Sequence, residues 1–441
     1  MILNFKRILD VSLRVLWVVV PLVCLPASAI GGKGDKGNKG KDHWVATWST
    51  ANIDLENPDA AGVFSSASVP DSLENQTIRE IVHTTIGGRE IRIRLSNAFG
   101  AKAITFDSVY AGLEANGAAL AAGTNHAVTF GGSKSVMMPE GSEALSDPIP
   151  LSVGAEENLV ISLFTIGPAR LATGHAAAFQ TNFISTAGNF TADESTSAFT
   201  KTTGSWYFLG EIDVLAPQKL RGAVVAFGDS ITDGSSTKPD TNARWTDVLA
   251  RRILAGPAHN AMAVLNSGIG GNRVLTSSPC FGTNALARLD RDAFDYAGVR
   301  DIILFEGTND IGQPDTPASS IRAKYVPCLT RMQITADDLI AGYKQIIEQA
   351  HAAGLKIFGA TILPYKGYGG WTEQGESKRQ AANHWIKESG AFDGVIDFDA
   401  ALRDPANPAA LTPSYDSGDH LHPNPAGHEA MANAIDLALF R

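Results

Sequence analysis

The sequence predicts two regions of different fold class, an all-β sandwich followed by a doubly wound α/β sheet. Three observations carry this. Between His43 and about Val214, short segments with β-like patterning are separated by turn residues, and no long helical period appears. From Arg221 on, short wholly apolar runs alternate with amphipathic segments, the pattern of buried parallel strands joined by helices. The switch between the two falls within a few residues, which sets the regions at 43–216 and 221–441.

The chain begins with Lys6, Arg7 and Arg14 before an apolar run, Val15 to Leu25, and an Ala27-Ser28-Ala29 site. This order is that of a secretory signal, so residues 1–29 are expected to be cleaved and the protein secreted. The run is too short to span a bilayer and contains Pro21, so no stable membrane anchor is expected. Residues 30–42 are rich in Gly and Lys without apolar period and read as a flexible leader. In the β region, Arg89–Ser96 alternates strictly, with Ile91, Ile93 and Leu95 on one face. Gly87-Gly88 before it predicts a hairpin to Ile78–Ile86. Further strands are expected at Ile104–Leu113, His126–Phe130, Leu159–Phe164 and Ser205–Val214.

In the second region the parallel strands are expected at Ala223–Phe227, Ala263–Asn266, Asp301–Phe305, Leu355–Ile362 and Val395–Phe398. Thr335-Ala-Asp-Asp338 is a capping box for a helix whose Leu339, Tyr343, Ile346, Ile347 and Ala350 share one face, ended by Gly354. Sites in such sheets lie beyond the carboxyl ends of the strands.

Of the 441 residues 44% are hydrophobic and 19% charged, enough to build a core. The net charge is −10, and −12 without the first 29 residues, which argues against nucleic acid as a partner. Without Cys24, Cys280 and Cys328 remain. An even pair in a secreted chain predicts a disulfide, worth roughly 4 kcal/mol on a chain-entropy model. Asn75 and Asn189 lie in glycosylation sequons, which matter only in a eukaryotic host.

Four segments carry chemistry, each just after an expected strand or in the final loop: Gly228-Asp-Ser230, Asn266 to Asn272, Glu306 to Asp310, and Asp416 to Asn424. Acyl transfer needs a nucleophile, a base and a group that orients the base. Ser230 is the candidate nucleophile and His422 the candidate base, with Asp419 three residues before it to fix the tautomer. The Ser230 and Gly271 backbone N–H groups and the Asn309 amide are candidate oxyanion donors. Asp229 and Asp233 read as helix caps, and Asp310 as a loop stabiliser. His83, His126 and His175 read as ordinary strand or surface histidines. Trp44, Trp48 and Trp206 could form a sugar platform, but core aromatics are the simpler reading. Asp416, His420, His422 and His428 lack a further ligand cluster, so no metal is expected. Gly312 to Ile334, Pro- and Ser-containing and holding Cys328, is expected to form an active-site rim.

Together these segments resemble the blocks of the GDSL-type esterases, the SGNH hydrolase superfamily. The Ser, Gly, Asn and His of that name match Ser230, Gly271, Asn309 and His422 in the same order, with Asp419 as the orienting carboxylate. The resemblance covers about Ala223 to Leu439 and implies a flavodoxin-like α/β/α sandwich. Two departures are Ile231, where the motif has leucine, and Gly270, where a serine is frequent. The N-terminal half resembles the β-sandwich that precedes the catalytic domain in a secreted subgroup. The resemblance implies a serine esterase without cofactor, acting through an acyl-enzyme on an ester substrate, and members of that subgroup are mostly carbohydrate or simple-ester deacylases. Secretion, the accessory sandwich and the lack of an evident long apolar lid favour short acyl esters, acetyl groups of a plant polysaccharide or its oligosaccharides. A lipase or lysophospholipase acting on longer chains remains an alternative, as does a non-catalytic carbohydrate-binding protein. The oligomeric state is left open. Because His422 must be neutral, activity is expected to fall below roughly pH 6.

Overall fold

Alternating apolar residues in the N-terminal half build two main antiparallel sheets and three small ones, seen in a computed structural model that describes residues 42–60, 63, 69–256 and 261–441. The signal-like segment and all but the last residue of the leader lie outside the described residues. Among the described residues no helix is long and apolar enough to cross a membrane. The first sheet runs in the order His43–Ser49, Leu209–Ala216, Ile91–Ser96, Glu143–Leu145. The second is centred on Gln76–His83, Asn158–Thr165 and Ser108–Asn116. Ile91, Ile93, Leu95 and Ile212 from one sheet and Ile78, Val82, Leu159 and Ile161 from the other share one apolar core. This is the face-to-face packing of a sandwich.

The expected hairpin at Gly87-Gly88 does not form. Gln76–His83 and Ile91–Ser96 belong to different sheets, and the glycine pair carries the chain from one to the other. Neither glycine has the positive φ of a two-residue hairpin turn. They are instead squeezed between backbones: a Cβ on Gly87 would lie 2.6 Å from Val153 O, and one on Gly88 2.8 Å from Leu215 O. The charged face of Ile91–Ser96 is also not a solvent face. Arg92 pairs with Asp213 at 2.6 Å, and Arg94 with buried Glu211 at 2.6 Å. Glu211 in turn accepts from Ala297 N at 2.7 Å, which ties this sheet to the second region.

The apolar runs after Arg221 form five parallel strands, β1 (Ala223–Gly228), β2 (Ala263–Gly268), β3 (Val299–Phe305), β4 (Lys356–Ala360) and β5 (Gly394–Ile396). Their order in the sheet is β2-β1-β3-β4-β5, the flavodoxin-like winding. The helices are α1 (Ser230–Asp233), α2 (Trp245–Leu254), α3 (Ala285–Leu289), α4 (Thr308–Gly312), α5 (Ala336–Ala352), α6 (Glu373–Glu388), α7 (Phe398–Leu402) and α8 (Pro425–Ala434). Successive residues of β1 face opposite ways. Val224 and Ala226 pack with α2, α7 and α8, and Val225 and Phe227 join the core that holds α3, α5 and α6. The result is a three-layer α/β/α arrangement. α5 starts at the expected capping box, where Thr335 Oγ1 accepts from Asp338 N at 3.1 Å.

The core on the α5 side is continuous with the sandwich core, so the described residues from Asp42 onward pack as one unit. Trp48 and Trp206 are buried in it, edge to face with ring centroids 4.9 Å apart, so they are core residues and not a platform.

Candidate active site

The carboxyl end of β1 presents Ser230 because the chain turns there within one residue. Gly228 permits the turn: a Cβ would lie 2.7 Å from Phe305 O on the neighbouring strand. Asp229 then caps α1, its Oδ1 accepting from Ile231 N at 3.0 Å, which leaves Ser230 as the first residue of a single helical turn. Asp233 closes that turn rather than capping it, and Gly234 ends it at φ 109°.

His422 comes from the loop before α8. Its Nε2 lies 2.9 Å from Ser230 Oγ, across 192 residues of chain. Its Nδ1 lies 2.6 Å from Asp419 Oδ2, while Asp419 Oδ1 accepts from the backbone N–H of His422 and of Leu421. With Nδ1–H donating to the carboxylate, Nε2 is the acceptor facing the serine. Partial burial opposes the Asp419 charge, but the hydrogen bond and charge of His422 outweigh it and hold the carboxyl well below the usual carboxylate range. Asp416 stiffens the same loop: it accepts from the backbone N–H of Gly418 and His420 and from His420 Nδ1.

Gly271 follows β2 with φ 76°, and a Cβ there would meet the Phe281 ring at 2.5 Å. Glycine is therefore required on both conformational and steric grounds. Among the described residues its N–H donates to no acceptor, and its carbonyl accepts from Gln313 Nε2 at 2.9 Å. Asn309 stands in α4 with Nδ2 3.3 Å from Asp229 Oδ2, so one amide hydrogen is held and the other is free to point elsewhere. Ser230, Gly271, Asn309 and His422 all line one cavity of about 290 Å³. Asp419 stands behind His422.

Beneath this surface lies a buried acidic group. Burial pushes Asp229 up to about 6, and Asp310, whose carboxylate accepts from Val274 N and Leu275 N, also up to about 6. Burial raises Glu306 well above the ordinary carboxylate range. Its closest cation is Arg288, 3.4 Å away and also fully buried.

The cavity walls come from both halves of the chain. Ile53, His175, Ala176 and Ala177 of the antiparallel region form one side. Ile321, Tyr325 and Leu329, from the segment after α4, form another. Cys280 and Phe281 complete it, and Cys280 is bonded to Cys328 with Cα atoms 5.6 Å apart. The bridge thus pins the Ile321–Leu329 wall to the loop whose Phe281 ring packs against Gly271. Reduction should raise KM several-fold and cost about 4 kcal/mol of stability. Unchanged kinetics in protein whose free thiols have been titrated would refute this.

The model of the GDSL-like lipase/acylhydrolase family matches residues 226–430. Residues 226–430 are a GDSL-like lipase/acylhydrolase domain. The chain is a carboxylic ester hydrolase of the GDSL type. Similar solved structures include the lipase/acylhydrolase from Enterococcus faecalis, at 18% identity and TM-score 0.34, covering 48% of this chain and 92% of that one. A GDSL-like lipase from Bacteroides thetaiotaomicron is 18% identical with TM-score 0.33, covering 49% of this chain and 87% of that one. An acetylxylan esterase from Geobacillus stearothermophilus is 19% identical with TM-score 0.35, covering 48% and 91%. No curated protein matches the chain significantly.

Three residues in and around the site escape a reading of the sequence. His175, which reads as an ordinary strand histidine, lies in the cavity wall with Nε2 2.9 Å from Asp233 Oδ1. Its partner is 58 residues away in the other half of the chain, so no local pattern marks it. Arg288 and Gln313 carry no motif either. His428, by contrast, is structural. Its Nδ1 accepts from Trp245 N and its Nε2 donates to Ser235 O, behind the nucleophile turn. Burial pushes it down to about 4 from 6.5. Between those values the unfolded chain binds the proton and the folded one does not, so stability falls as the pH drops from 6.5 toward 4. The loss should be about 3 kcal/mol, and His428→Gln should lack that slope in denaturant titrations run across this range. Parallel pH profiles for the two proteins would refute it.

Proposed function

We propose that the chain is a secreted serine esterase that works through an acyl-enzyme on short acyl esters, acetyl groups of plant polysaccharides or oligosaccharides. The observation that carries this reading is the chain of contacts from Ser230 Oγ to His422 Nε2 at 2.9 Å and from His422 Nδ1 to Asp419 at 2.6 Å. His422 takes the Ser230 proton as Oγ attacks the ester carbonyl. The oxyanion is met by the N–H groups of Ser230 and Gly271 and by the Asn309 amide. His422 then protonates the leaving alcohol, and water, activated by the same base, releases the acid.

The cavity, at about 290 Å³, is at the small end of ligand sites, which run roughly 300–1,000 Å³. That supports a short acyl group over a long chain. The Cys280–Cys328 bridge supports an oxidising compartment, in keeping with the signal-like N-terminus. The test is expression of the whole chain followed by assay of protein recovered from the medium. Its activity on p-nitrophenyl esters should peak at acetate or propionate, and it should release acetate from acetylated polysaccharide. A maximum at octanoate or beyond would favour a lipase. Protein retained in the cell would refute secretion.

A further inference from the structure

The turn that carries Ser230 ends in a second polar side chain that the acyl-transfer chemistry does not use. Asp233 stands three residues after Ser230 in α1, on the neighbouring position of the same helical face. It is 4% exposed, and it lines the same cavity as Ser230 and His422. One of its oxygens is fixed: Oδ1 lies 2.9 Å from His175 Nε2. The other, Oδ2, accepts from no described residue. It faces the open space in front of Gly270, where a Cβ would lie 3.7 Å from Oδ2 and within 4 Å of nothing else. A carboxylate oxygen this deeply placed, unpartnered and open to the substrate cavity is an acceptor waiting for a donor.

The surroundings say which kind of donor. His175 Nδ1 lies 2.8 Å from Ala51 O, a pure acceptor, so Nδ1 carries a hydrogen. Nε2 faces a carboxylate, so His175 and Asp233 share a second proton and the pair is close to neutral. Arg244, whose Nε donates to Asp233 O, is balanced by Asp247 at 3.6 Å. A cationic ligand would gain little from so compensated a site, whereas a hydroxyl needs only the acceptor. We propose that Asp233 Oδ2, held in place by His175 of the antiparallel region, accepts a hydrogen bond from a free hydroxyl of a polyol ester beside the scissile bond. Asp233 is then a selectivity residue and His175 a positioning residue. This deepens the esterase reading and rests on it.

The experiment compares kcat/KM for a monoacetylated methyl xyloside, which has free hydroxyls, with that for p-nitrophenyl acetate, which has none. Three variants are measured: Asp233→Asn, His175→Gln and Gly270→Ser. The last leaves the pair intact and puts a competing hydroxyl against Oδ2. In each, the sugar-ester to aryl-ester ratio should fall about tenfold or more, the value of one hydrogen bond to a charged group. A ratio that stays at the wild-type value in all three, whether or not both rates fall together, would overturn the proposal. Wild-type protein that is folded but cleaves neither ester would count against the esterase reading instead. Binding of methyl xyloside to Ser230→Ala protein then decides the subsite: it should be measurable and should weaken when Asp233→Asn is added, and equal binding would overturn it.

Discussion

Replacing Ser230 by alanine should lower kcat on p-nitrophenyl acetate by at least ~10⁴-fold, because the nucleophile is lost and only binding and the oxyanion donors remain. The fold should be untouched. Ser230 Oγ contacts only His422 among the described residues, and the cap of α1 is supplied by Asp229. Alanine at the first helical position is well tolerated, so the denaturant midpoint should stay within about 0.5 kcal/mol of wild type. The loss should also be non-additive. Once Ser230 is gone, removing His422 should cost little more, since the two act as one unit. Near wild-type turnover by purified Ser230→Ala protein would end the assignment of the nucleophile.

Arg288→Met should destabilise the protein by about 3–5 kcal/mol, the cost of leaving a buried charge pair broken. Arg288 is 1% exposed. It donates to Gly228 O at 3.0 Å, Ser267 O at 2.9 Å and Asn272 Oδ1 at 3.0 Å, and its guanidinium lies 3.9 Å from the Phe227 ring centroid. It therefore ties together the ends of β1 and β2, from which Ser230 and Gly271 emerge. It is also the nearest cation to Glu306. Arg288→Lys should not rescue, because a single ammonium cannot span these acceptors. Arg288→Met combined with Glu306→Gln should recover part of the loss, since the orphaned acid is then removed. Urea titrations measure all three, and a change below about 1 kcal/mol for Arg288→Met would refute the argument.

The parallel sheet is legible because buried strands are wholly apolar and short: Ala223–Phe227 needs no partner information to be read as a strand. The Ser230, Gly271, Asn309 and His422 segments are legible because each sits at a strand end or loop with its own short signature. The sandwich is legible strand by strand, but its pairing is not. Alternation in Ile91–Ser96 tells which face is buried, not which strand lies beside it, so Gly87-Gly88 reads as a hairpin although it joins two sheets. His175, Asp233 and Arg288 act through partners far along the chain, and single-residue chemistry gives no periodic trace. The roles of His175 and Asp233 emerge only once the two halves are packed together, and that of Arg288 only once β1 and β2 lie side by side.

That packing has a consequence for how such an enzyme changes over generations. The wall built from Ile53, His175, Ala176 and Ala177 belongs to the half that holds none of the acyl-transfer groups. Substitutions there can retune which ester is accepted without disturbing proton transfer, so selectivity and chemistry can drift on separate schedules. The same coupling forbids a shortcut. A chain cut at Arg221 would keep its nucleophile yet lose one side of its cavity and expose apolar surface now shared with the sandwich, and selection would see the two halves as a single heritable unit.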